Sequence, residues 1–154
     1  MRRDKQEITE KSVIADIIKK AGTARLGINR EGAPYVVPMN FGYDEGIFYF
    51  HCAGAGLKLE LLKADPRVCI ELDESSSLQK GGKENPCDWG VDYRSVIASG
   101  EAVFLEDGNG KEKALNIIVS QFLDGNIPPL TEAGIRATTV FKVDPDSLTA
   151  KGSD

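Results

Sequence analysis

Two kinds of hydrophobic pattern alternate along the chain, and their order predicts its elements. From Thr9, the residues Val13, Ile14, Ile17, Ile18 and Ala21 share one stripe, while Glu10, Lys11, Asp16, Lys19 and Lys20 fall off it. That spacing predicts an amphipathic helix, with Thr9 as its N-cap and Gly22 as its stop. Thr23 to Asn29 then alternates as a short strand, and Arg30, Glu31 and Gly32 turn it into the next run. There Tyr35, Val37, Met39 and Phe41 alternate with Val36, Pro38, Asn40 and Gly42, so one side of a single strand is continuously apolar. Asp44, Glu45 and Gly46 supply a turn, Ile47 to Phe50 forms the returning strand, and His51 follows it. A small-residue loop, Gly54, Ala55 and Gly56, leads into a second helix. In it Leu57, Leu61 and Leu62 recur at helical spacing while Lys58, Glu60 and Lys63 face away, and Asp65 with Pro66 ends it.

The second half continues in the same way. Arg67 to Asp73 reads as a strand with Val68, Ile70 and Leu72 on one face. Glu74 to Asp92 carries Ser, Gly, Asn and Pro with almost no aliphatic period, which predicts a long loop of the kind that is usually functional or mobile. Tyr93 to Glu106 is the longest strand pattern, and Ser99 with Gly100 marks a bend or bulge in it. Lys111 to Leu123 has a helical stripe of Ala114, Leu115, Ile118 and Phe122. Asp124 to Leu130 is a connection, and Thr138 to Val143 is a last strand closed by Asp144 and Pro145. Six strand patterns in meander order, with helices between and before them, predict a mainly β protein with flanking helices, a small antiparallel barrel. No linker or repeat divides the chain, so residues 1–154 are read as one domain.

Composition narrows the function. A hydrophobic fraction of 41% suits a soluble globular domain, and a net charge of −5 gives no general attraction for nucleic acid or an anionic membrane. No apolar run approaches a membrane span and no signal-peptide core follows Met1, so a cytoplasmic location is expected. Cys52, Cys69 and Cys87 are odd in number and lack CxxC spacing; they are read as structural thiols rather than a disulfide framework or zinc knuckle.

The residues with chemical potential cluster near the middle of the chain. Gly54 to Gly56 ahead of a helix leaves backbone N–H groups free at its N-terminus, and Lys58 adds a positive charge, which together suit a phosphate. A flexible small-residue turn is the alternative, since neither GxxxxGK[ST] nor GxGxxG is present. His51, the only histidine, is open to proton donation, ring stacking, haem ligation or a purely structural role. Too few neighbouring ligands accompany it for a zinc site. Arg94 and Ser95 open the long strand, where they either reach a ligand across the hairpin or form an exposed edge. Asp88 and Trp89 either close a pocket from the loop or belong to the core.

The segments PYVVPMNFGY, YFHCA, GLKLELLKADPRVC and CDWGVDYRSVIASGEA, in this order and spacing, resemble the pyridoxamine 5′-phosphate oxidase-like FMN-binding proteins. Within that group the resemblance points to the branch that includes the nitroimidazole-resistance flavoproteins. It runs from near Arg2 and Arg3 to about Val143. It implies a six-stranded antiparallel split β-barrel that forms a homodimer, with FMN in the groove between subunits. By position, Val36, Val37, Pro38, Met39 and Asn40 would line the flavin ring, largely through backbone groups. His51 would stand close to the flavin as the catalytic residue, Ala55, Gly56, Lys58 and Leu59 would approach the ribityl phosphate, and Arg94 and Ser95 would reach the cofactor, in one version from the partner subunit. Gly54 to Leu57 replaces the Ser-Arg-Lys cluster of the oxidase proper, which speaks against pyridoxamine phosphate oxidation. The expected function is an FMN-dependent reductase that passes electrons from NADH, NADPH or another donor to a small acceptor such as a nitroaromatic compound. The alternatives are a non-catalytic flavin- or haem-binding storage or sensor protein and a related barrel that uses a deazaflavin.

Overall fold

The computed structural model describes residues 6–82 and 84–153. Arg2 and Arg3, where the resemblance begins, lie outside them. In chain order the elements are β1 (Glu7–Ile8), α1 (Lys11–Lys20), β2 (Ala24–Ile28), β3 (Tyr35–Met39), β4 (Phe41–Asp44) and β5 (Ile47–Cys52). They are followed by α2 (Leu57–Ala64), β6 (Arg67–Gln79), β7 (Gly90–Leu105), α3 (Gly108–Ser120), α4 (Glu132–Ala137) and β8 (Thr139–Gly152), with one 3-10 turn at Pro86–Asp88. The strands form one sheet in the order β3-β2-β6-β7-β8-β5-β4, with β1 added on β8, and the pairs are antiparallel.

The two ends of that order, β3 and β4, are consecutive in the chain and separated by Asn40 alone. A sheet whose ends meet in this way must curl. The apolar alternation of Tyr35, Val37, Met39 and Phe41 is real, since all four side chains join the inner core, but the strand changes its hydrogen-bonding partner at Asn40: β3 pairs with β2 and β4 with β5. That break, together with β1, makes eight strands among the described residues where six were expected.

The barrel interior holds Phe41, Phe48, Phe50 and Phe141, all fully buried, with Phe50 and Phe141 stacked at 5.2 Å between ring centroids. Each such side chain contributes about 1.5–3 kcal/mol by leaving water. Ile17 and Ile18 of α1 extend this core. A second, smaller cluster lies on the outer face of the sheet, where Tyr49 and Val140 pack beneath Ala114 and Ile118 of α3. Gly42 permits that approach, because a Cβ there would fall 2.7 Å from the backbone of Ile117.

Several expected boundaries move. Glu10, not Thr9, precedes α1, and Ala21 rather than Gly22 ends it, its N–H donating to the Ile17 carbonyl. The long loop shrinks to residues 80–89, because β6 and β7 continue as a paired ladder through Leu78 and Val91. Asp144 and Pro145 do not close the last strand. Pro145 faces Gly100 at a register shift, Asp146 is the extra residue, and its carboxylate accepts from Arg67 at 2.7 Å. The bulge expected at Gly100 is present, and a Cβ on Gly100 would meet the Asp144 carbonyl at 2.9 Å. Glu45 and Gly46 both have positive φ, 49° and 90°, which defines a type I′ turn between β4 and β5.

Candidate functional site

His51 lies within β5 rather than just beyond its end, opposite Val140 of β8. In an extended strand alternate residues share a face. His51 therefore shares the outer face with Ile47 and Tyr49, while Phe48, Phe50 and Cys52 face the barrel interior. Its imidazole is exposed in part and borders a half-open pocket of about 300 Å³ between β5, α3 and α4, lined by Leu115, Ile118, Leu130 and Ile135. Packing that removes solvent from the ring, and then repulsion from the Lys58 ammonium, lowers the His51 pKa below the ordinary histidine value. Loss of solvent also raises the pKa of the Cys52 thiol, with Lys58 opposing.

Lys58 is half-buried in the first turn of α2, and its Nζ lies 3.5 Å from Met39 Sδ. Among the described residues it has no carboxylate partner. No side chain caps α2 either, since its N-cap is Gly56, at φ 118° and with open space around it. An unpaired cation thus stands beside free helix N–H groups, an arrangement that favours an anion. Ala55 and Gly56 are exposed around this point, whereas Leu59 turns its side chain into the protein.

The proposed ring wall divides by face. Val36, Pro38 and Asn40 are exposed on the outside of the sheet, while Val37 and Met39 join the inner core. Arg94 and Ser95 are not brought to this point within one chain. Arg94 pairs in register with Glu74 and Gly152, and Ser95 with Asp73 and Lys151. Their strand is three positions from β3 in the sheet, about 14 Å at the usual strand spacing. Arg94 has no ion-pair partner among the described residues, and Glu74 beside it has one buried carboxylate oxygen without a hydrogen bond.

The three cysteines are free, and Cys69 and Cys87 are exposed rather than packed as structural thiols. Among the described residues no group of three or more His, Cys, Asp or Glu side chains could hold a metal ion, and no helix is long and apolar enough to cross a membrane. The lining that sequence patterns missed is α4, a single six-residue helix too short to show a period.

The curled antiparallel sheet whose terminal strands are joined at Asn40 is a split β-barrel. The chain belongs to the pyridoxamine 5′-phosphate oxidase family, which it matches over residues 10–152. It is similar to a protein from Bacteroides thetaiotaomicron VPI-5482 provisionally described as a 5-nitroimidazole antibiotic resistance protein. The two are 33% identical, with a TM-score of 0.84 over 95% of this chain and 86% of that one. A flavocytochrome from Azotobacter vinelandii has the same fold at 20% identity and a TM-score of 0.85, over 100% of this chain and 72% of that one. So does an FAD- and haem-binding protein from Mycobacterium smegmatis, at 17% identity and 0.83, over 97% and 74%. No curated protein sequence matches the chain.

Proposed function

We propose that this protein binds FMN and acts as a reductase, taking electrons from NADH, NADPH or another donor and passing them to a small neutral acceptor such as a nitroaromatic compound. The observation that carries the reading is Lys58, a half-buried ammonium without a counterion beside the uncapped N-terminus of α2. A dianionic ribityl phosphate satisfies both at once. Same-fold relatives named as a flavocytochrome and as an FAD- and haem-binding protein, together with membership of the oxidase family, support a flavin in general. When bound, the flavin supplies the two-electron chemistry, and the chain supplies binding, orientation and electrostatics.

In this reading Val36 to Asn40 forms the ring wall through backbone groups, Ala55 and Gly56 let the phosphate approach α2, and Lys58 neutralises it. His51, neutral near pH 7 because its pKa is lowered, offers a ring N–H to an oxygen of the acceptor. Arg94 and Ser95 reach the cofactor from a second subunit, because the sheet separates them from β3 within one chain. A homodimer formed through the outer face of the sheet also covers Val36 and Ile97, which are 59% and 46% exposed here. Free thiols suit a reducing, cytoplasmic setting.

The test is spectroscopic. Purified protein, as isolated or after adding FMN, is expected to show the two-band spectrum of an oxidised flavin. NADH or NADPH should bleach it and an acceptor should restore it. Failure to retain FMN through gel filtration overturns the cofactor, and retention without bleaching or turnover replaces the reductase by a storage or sensing role.

A further inference from the structure

A separate pocket of about 230 Å³ opens where the β7–β8 ladder ends, with Leu105 opposite Val140. Leu59 and Val140 are its buried apolar floor. Lys63 lines it from the last turn of α2 and Lys111 from the first turn of α3, and Glu106 and Thr139 complete the polar side chains. Both signs of charge meet in this lining, yet no ion pair closes it. Among the described residues the two ammoniums, the Glu106 carboxylate and the Thr139 hydroxyl make no ion pair or hydrogen bond within the chain. Lys58 is not part of the lining, since its ammonium lies against Met39.

We infer that this pocket binds a small hydroxycarboxylate, its carboxylate held by Lys63 and Lys111 and its hydroxyl by Glu106. Three observations set the class. Lys63 and Lys111 against Glu106 leave one positive charge in excess, so a monoanion brings the pocket to neutrality. A second negative charge on the ligand would stand against Glu106 at a cost. An ammonium only donates and an ionised carboxylate only accepts, so the lysines ask the ligand for an acceptor and Glu106 asks it for a donor. The volume of about 230 Å³ is below the range of about 300–1,000 Å³ for drug-sized ligands, which suits a body of a few carbon atoms lying on Leu59 and Val140. None of this rests on the flavin reading above.

Lactate, lactamide and propionate are close in size and separate these requirements, because lactamide lacks the charge and propionate the hydroxyl. They are titrated into the full chain at pH 7.5 and low salt, with the backbone amides of Glu106, Lys111 and Thr139 followed by nitrogen-15 NMR. Lactate is expected to shift the three signals to saturation and lactamide to leave them in place. Propionate should bind about fivefold more weakly, the size of one lost hydrogen bond. Lys63→Gln and Lys111→Gln should each weaken lactate by about tenfold, since each removes a charge-assisted hydrogen bond. Neither side chain is buried, so the fold tolerates both changes. Glu106→Met should erase the advantage of lactate over propionate, and Lys58→Met should leave lactate affinity unchanged. A folded protein without a saturable response to lactate overturns the inference, as does a response that survives loss of both lysines or disappears in Lys58→Met. Propionate binding as tightly as lactate overturns the hydroxyl, and inorganic phosphate binding more tightly than lactate overturns the monoanion. Failure of lactate leaves the flavin reading intact, and failure of FMN leaves this pocket intact.

Discussion

Gly42 of β4 lies so close to Ile117 of α3 that a methyl group on it would fall 2.7 Å from the Ile117 carbonyl carbon. The obstacle is helix backbone, which cannot yield as a flexible side chain would. Gly42→Ala is therefore expected to destabilise the fold by about 1–3 kcal/mol through overpacking, measured as a lower midpoint in urea unfolding. The same substitution pushes α3 away from the sheet and should broaden the proton NMR signals of the His51 ring, since α3 forms one wall of the pocket beside it.

The β4–β5 turn offers a change of the opposite sign. Glu45 holds φ 49°, the only positive value at a non-glycine position among the described residues. Asn-Gly is the favoured pair for a type I′ turn, and left-handed backbone costs an ordinary residue about 1 kcal/mol. Glu45→Asn is expected to raise stability by roughly 0.5–1 kcal/mol, seen as a higher urea midpoint at unchanged slope.

Much of this was legible from the sequence, and the misses share one cause. Periodicity reports which side chains share a face, and it correctly grouped Tyr35, Val37, Met39 and Phe41, and Val68, Ile70 and Leu72, all of which belong to the inner core. It does not report when a strand changes partners. Tyr35 to Phe41 keeps one alternation across Asn40 although the hydrogen bonds pass from β2 to β5. Pro145 looked like a terminus because it lacks an N–H, yet the bulge opposite Gly100 accommodates it inside β8. His51 carried a usable signal: two residues after Tyr49, it had to share the outer face. Elements as short as β1 and α4 have no period to read.

Lys58→Met tests the anion site. Removing the unpaired ammonium should weaken FMN binding by about 10- to 100-fold, the size of one lost charge-assisted hydrogen bond. Fluorescence titration at low salt gives the affinity. The same variant should raise the His51 pKa, since repulsion by Lys58 is one of the two causes that lower it.

The His51 shift also has a consequence for folding. A histidine with a lowered folded pKa holds fewer protons native than unfolded, so its contribution is present above the ordinary value of 6.5 and is lost as pH falls through the folded value. The natural chain should lose stability on acidification below about pH 6.5 more steeply than His51→Asn. Paired urea titrations at pH 7.5, 6 and 5 check the difference in slope.

The outer face of the sheet is tested by charge. Arg25 there is bound to Glu71 and Asp73, while Val36 and Ile97 on the same face have no cover. Ile97→Asp is expected to weaken the proposed homodimer at least 100-fold, so that light scattering at micromolar concentration reports monomer. If Arg94 serves the partner's cofactor, FMN affinity falls in the same variant.

Strand β8 is bonded to β7, β5 and β1, and it is the link between the β5–β4 hairpin and the rest of the sheet. It occupies residues 139–152. During synthesis, the hairpin carrying His51 has left the ribosome long before the strand that docks it exists. Its aromatic face must wait uncovered or in the care of a chaperone. The barrel closes after translation has passed Gly152, and closing it assembles the core and the pocket beside His51 together.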